Sequence, residues 1–169
     1  MAAGSTYTPI ATTSPSAASS IDFTSISGSY TDLVLVLSVS IGGSSGGTMY
    51  FQCGNGSVDT GTNYSLTTLG GDGSTASSTR SPNISAGLAM GYIGGVTASQ
   101  PATVLLNFQN YSNTSTYKTV LSRGNSAGAV TDANVSLWRS TSAINTIKIY
   151  MSGSRTFTGT ATLYGITAA

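Results

Sequence analysis

Asp22, Asp32, Asp59, Asp72 and Asp132 are the only acidic side chains in this sequence, which contains neither Glu nor His. Two carboxylates held about 5 to 9.5 Å apart could serve as the acid and base of glycoside hydrolysis. No motif joins any two of these five, and they read as strand-edge or turn residues, Asp132 lying just before a strand. The absence of His removes the commonest general base, the usual triads, and most zinc and iron sites. A serine nucleophile would need its Gly-x-Ser-x-Gly elbow on a strand-to-helix turn, and no helix is in prospect here. Residues 42–47 and 70–73 are glycine-rich but lack the Lys-Ser or Lys-Thr of a phosphate loop. No Asp-x-Asp of a calcium loop occurs. The expectation is a chain that is not an enzyme, with no catalytic residue, no metal site and no cofactor.

Composition narrows the remaining roles. Of 169 residues only 7% are charged, the net charge is +1, and 39% are hydrophobic. That apolar share and near-neutral balance favour a folded domain over a disordered one. The cations Arg80, Lys118, Arg123, Arg139, Lys148 and Arg155 are scattered, whereas phosphate binding needs them clustered, so no nucleic-acid partner is expected. Cys53 is the single cysteine and can form no intramolecular disulfide; it reads as a small hydrophobe in a strand. No apolar run approaches the length of a membrane-spanning helix, and the start of the chain lacks a secretory signal, so membrane insertion is not expected. A surface this poor in charge resists self-association weakly.

The elements that would position any site are strands. In residues 30–41, Leu33, Leu35, Leu37, Val39 and Ile41 fall at every second position and share one face of an extended backbone. Val34 and Val36 give way to Ser38 and Ser40 on the other face, as if only its first half were covered on both sides. Further strands are expected at 20–26, 48–53 with Met49, Phe51 and Cys53 inward, 63–69, 84–93, 103–110, 116–123, 133–139, 145–151 and 160–167. Residues 54–61, 70–83 and 124–131 read as loops, the second long enough to carry recognition. Strands separated by turns, without a helix, predict an all-β antiparallel two-sheet sandwich, jelly-roll-like, over 21–169. Residues 1–20, with Pro9 and Pro15, read as an extended N-terminal arm. If Val135, Leu137, Ile147, Ile149, Met151, Ala161 and Leu163 face the core, then Trp138, Lys148, Tyr150 and Tyr164 face outward. Trp138, Tyr150 and Tyr164, with Tyr7 and Ile10 of the arm, form the candidate subunit interface.

Several segments carry a resemblance: Tyr7-Thr8-Pro9-Ile10-Ala11-Thr12-Thr13, residues 16–26, Tyr30-Thr31-Asp32-Leu33-Val34-Leu35, residues 73–80, Asn110-Tyr111-Ser112-Asn113-Thr114, residues 117–123, Trp138-Arg139-Ser140-Thr141-Ser142-Ala143-Ile144, and Leu163-Tyr164-Gly165-Ile166. Together they resemble a family of virion proteins of tailed bacteriophages, cyanophage-like, which are small all-β proteins or terminal domains. Residues 42–61 depart most from that pattern. The resemblance implies a part of the particle surface and brings no catalytic residues with it. The leading expectation is a capsid decoration or cement protein, a homotrimer seated on the major capsid protein, found on the virion surface after synthesis in the host cytoplasm. A chain beginning at its own Met with one domain suits such a unit. The alternative is a tail fibre or receptor-binding protein whose loops at 54–61 and 70–83 contact host glycans, although a fibre would carry a longer shaft or coiled coil.

Overall fold

A computed structural model describes residues 6–43, 47–91, 100–126 and 130–167, and every regular element among them is a strand. In chain order these are β1 (Tyr7–Thr13), β2 (Ser20–Phe23), β3 (Asp32–Gly42), β4 (Met49–Asn55), β5 (Ser57–Val58), β6 (Tyr64–Gly71), β7 (Ala76–Ile84), β8 (Gly87–Met90), β9 (Pro101–Phe108), β10 (Lys118–Ser126), β11 (Val130–Trp138), β12 (Thr146–Met151) and β13 (Thr156–Ile166). The larger sheet runs β1-β13-β3-β9-β10-β11-β6-β7; the smaller runs β2-β12-β4-β5, with β8 also pairing β4. The chain is an all-β antiparallel sandwich, as its period-two patterning implies.

Its wiring is that of a jelly roll. Strands β1 to β4 alternate between the two sheets, and β8, β9, β12 and β13 return between them in reverse, giving β1-β13-β3-β9 over β2-β12-β4-β8. Two insertions enlarge this framework. One, between β4 and β8, adds the short β5 beside β4 in the smaller sheet and β6 and β7 to the larger; the other, between β9 and β12, is the β10–β11 hairpin of the larger sheet.

β3 lies at the centre of the original four-strand layer, paired along its length with β13 and β9. Its Leu33, Leu35, Leu37, Val39 and Ile41 are buried, Val34 is covered too, and Ser38 is exposed, so its two faces divide as the sequence predicts. Phe51 crosses from the smaller sheet and meets Phe108 and Tyr64 edge-on, with ring centroids 5.5 and 6.3 Å away, a favoured aromatic geometry. Met49 and Cys53, at alternate positions from Phe51, complete that inward row.

Several expectations need correction. Residues 7–13 are extended, but they are laid onto β13 as edge strand β1, with a bulge between Pro9 and Ala11. An edge strand tolerates Pro9 because one row of its backbone groups faces no neighbour. The long loop expected at 70–83 is mostly β7, reached through a turn in which the Asp72 carboxylate accepts from Ser74 N and Thr75 N. β7 carries no apolar alternation because it is a sheet edge exposed along most of its length. The strand expected at 84–93 is the short β8, whose residues are buried on both faces; Tyr92 and Ile93 lie outside the described residues. The loop expected at 124–131 is shorter, since β10 runs to Ser126 and β11 begins at Val130.

Candidate functional site

The inserted strands place their side chains in an unusual way. Along β10 and β11 the inward residues include Ser122, Asp132, Asn134 and Ser136, all buried, because they lie under β8 rather than under an apolar layer. One side of β8 is hydrogen-bonded to β4, and polar side chains of the larger sheet reach its backbone. Leu88 N donates to Ser136 Oγ (3.1 Å), Gly91 N donates to Asp132 Oδ2 (2.6 Å), and Ser122 Oγ donates to Leu88 O (2.8 Å). Asn134 Nδ2 links the cluster, donating to Ser122 Oγ (3.1 Å) and Asp132 Oδ1 (3.2 Å). Buried backbone groups that would otherwise lose water are satisfied in this way.

That choice of face forces its converse. With the polar residues inward, Leu121, Ala133 and Val135 turn outward, and Leu69 and Leu105 of the flanking strands join them. They line an open groove of about 650 Å³ on the outer face of the larger sheet, together with Tyr7, Asn107 and Arg123. Leu69 is 62% exposed, Val135 46% and Tyr7 56%, so large apolar side chains lie side by side on this face. Among the described residues Arg123 is the one charged side chain lining this groove.

The expected phase of β11 is thereby reversed. Val135 faces solvent, and Trp138 is buried at 3% exposure, against the expectation of Val135 inward and Trp138 outward. Alternation alone gives two phases, and here polar contacts to β8 selected the one hydropathy disfavours. Trp138 sits opposite Tyr64 and donates from Nε1 to Asp59 Oδ2 (2.8 Å). Asp59 also accepts from Asn63 Nδ2 (2.9 Å) and Gly61 N (2.8 Å). Burial pushes the Asp59 carboxyl up, but these three donors outweigh it and hold the pKa below the usual carboxylate value.

The other interface candidates separate to opposite sides of the sandwich. Tyr164 lies half-buried on the larger sheet, edge-on to Tyr7 with centroids 6.1 Å apart, and Ile10 packs against the core. Tyr150 is on the smaller sheet, directly opposite Tyr50, with centroids 5.7 Å apart. Tyr7 alone of the five lines the groove. Sequence reasoning missed Leu69, Leu105 and Leu121 as surface residues because a leucine in a strand reads as core. Tyr50 was legible, since Met49, Phe51 and Cys53 inward put it outward.

The aspartates remain dispersed. Asp22 faces Lys148 at 3.9 Å, Asp32 Oδ1 accepts from Asn110 N (2.6 Å), and Asp72 closes a turn. Asp132 is corrected from a turn residue to a buried one within β11. Among the described residues no three His, Cys, Asp or Glu side chains converge as metal ligands. Burial pushes the Cys53 thiol far above its ordinary pKa, leaving it a packing residue. Lys118 is buried with no carboxylate partner among the described residues; its Nζ donates to Thr116 O (2.8 Å) and Thr141 O (3.3 Å), and burial lowers its pKa.

No protein-family model matches the chain, and no curated protein does. Among solved structures, a double mutant of alginate lyase Aly36B in complex with alginate tetrasaccharide is similar at 12% identity and a TM-score of 0.35, over 83% of this chain and 72% of that one. The expectation that the chain is not an enzyme is corrected on this finding, because the structure it is similar to belongs to one. Likeness at that level transfers no activity, substrate or residue role to this chain.

Proposed function

We propose that this protein is a structural unit of a bacteriophage virion surface, a capsid decoration or cement protein that attaches through the outer face of its larger sheet. The observation that carries the reading is the exposed groove of Leu69, Leu105, Leu121, Val135 and Tyr7 on a chain with only 7% charged residues. Full burial of such a side chain contributes about 1.5 to 3 kcal/mol, of which only the part still exposed counts toward docking, so attachment calls on the whole face and on neighbouring copies rather than on a few leucines. The resemblance of its segments to virion proteins supplies the partner class, the major capsid protein, with further copies of the chain as neighbours in a homotrimer.

Reconstruction of a particle carrying the protein tests the assignment. Density for the sandwich repeated over the shell lattice, with the β10–β11 face turned inward, is the expected result. Density confined to the tail would overturn it in favour of a receptor-binding part. That second reading draws on a separate feature, the cleft beside Tyr50 and Tyr150 on the opposite sheet.

A further inference from the structure

On the smaller sheet, β12 and β4 pair so that Tyr150 stands opposite Tyr50 on the outer face. The rings are tilted by 32°, and both are half-exposed. Beside them opens a cleft of about 510 Å³, walled by Thr62 and Leu66 from one side and by Asn83 of β7 and Ser85 and Ala86 of the β7–β8 connection from the other. The volume falls in the usual range of small-ligand sites.

The walls are braced by hydrogen bonds that do not use the cleft's own donors. Arg139 Nη2 donates to both Thr62 O (2.7 Å) and Asn83 Oδ1 (2.8 Å), tying the two sides together. Gln52 Nε2 donates to Ser85 O (2.9 Å) and fixes the connection onto β4. Asn83 holds a left-handed backbone at φ 52°, which asparagine tolerates better than most residues. With its Oδ1 taken by Arg139, its Nδ2 has no partner among the described residues, and neither do the hydroxyls of Tyr50 and Tyr150. A site held open before the ligand arrives loses less free energy on binding.

Among the described residues no charged side chain lines this cleft directly, and the Arg139 guanidinium stands behind its Thr62 and Asn83 walls. The nearest charge on the same face of β12, Lys148, is paired with Asp22. Two aromatic faces with hydroxyl and amide donors fit a ring that is apolar on its C–H face and hydroxylated at its rim, and a charged probe reads whether Arg139, behind the walls, recruits an anion instead. We propose that the cleft beside Tyr50 and Tyr150 binds a neutral oligosaccharide, the tyrosines stacking on a sugar ring and Asn83 Nδ2 donating to its hydroxyls. The inference stands apart from the shell assignment, because it concerns a separate cleft, between the outer face of the smaller sheet and the β6–β7 edge of the larger, and is tested on the isolated protein.

The test is saturation-transfer NMR and titration of the whole purified chain with maltohexaose, cellohexaose and laminarihexaose, with polygalacturonate oligomers as the charged probe. Binding of at least one neutral probe is expected, weakened about tenfold or more by Tyr150→Ala and by Asn83→Gly, and kept within a few-fold by Tyr150→Phe, which retains the stacking face. Unchanged thermal melts of the variants show that the fold is intact; if Tyr150→Ala melts early, Asn83→Gly and Tyr150→Phe carry the comparison. No transfer to any neutral probe would overturn the proposal. So would affinity indifferent to all three substitutions, or binding of the charged probe alone.

Discussion

Asp59 is held by Trp138 Nε1, Asn63 Nδ2 and Gly61 N, and this clasp fixes the turn that carries the chain from β5 into β6. Its pKa is lower folded than unfolded, so the clasp contributes stability that is fully present above the unfolded value and is lost as pH falls through the folded one. Acid titration should therefore lower the melting temperature and shift the emission of Trp138, the single tryptophan, in one step below the ordinary aspartate range. Asp59→Ala should remove that step and cost about 1 to 3 kcal/mol by leaving the indole N–H unpaired. An identical acid profile in the variant would count against the clasp. Cys53, buried with its thiol pushed far up, should resist alkylating reagents in the native state and react only at the rate of unfolding; rapid native labelling would contradict its core placement.

At the scale of elements, legibility followed the apolar period. β3, β12 and β13 have one apolar face and were readable as strands with the correct side inward, because burial and alternation agree there. β7 was not, since serines and threonines at a sheet edge leave no apolar row to detect. β11 was readable as a strand but not in its phase, which long-range hydrogen bonds to β8 decide and which no local window contains. Asp132→Ala tests that explanation: freeing Gly91 N should speed hydrogen exchange at 87–91 and cost about 1 to 3 kcal/mol, while exchange in β3 is unchanged. Equal exchange in variant and wild type would mean that the cluster does not hold β8. Gly159 is a second element-scale constraint. It sits at φ 143° in β13, where an added Cβ would collide with Ser38 O of β3, so Gly159→Ala should lower stability by about 1 kcal/mol or more through both strain and lost ladder contacts. A thermal melt within error of wild type would contradict the close approach.

For the whole molecule, the two outer faces differ in kind. The larger sheet was widened by two insertions and presents leucine and valine; the smaller presents paired tyrosines beside a cleft of mixed lining. The candidate interface residues were legible as aromatic and outward only in part, because which sheet each strand joins is a matter of wiring rather than of period. Attachment through the larger sheet and sugar binding on the smaller are compatible, since one face can be covered while the other stays open. The attachment claim makes a demand that a core role would not. Substituting groove residues should leave folding alone and abolish docking. The most direct measurement is co-sedimentation of the purified protein with particles stripped of it, comparing wild type with the Leu69→Asp, Val135→Lys double variant, whose new charges are of opposite sign and are not directly paired in the sheet register. The account predicts a variant that melts within a few degrees of wild type yet loses saturable binding to the shell. A variant that binds the particles as wild type does would contradict it.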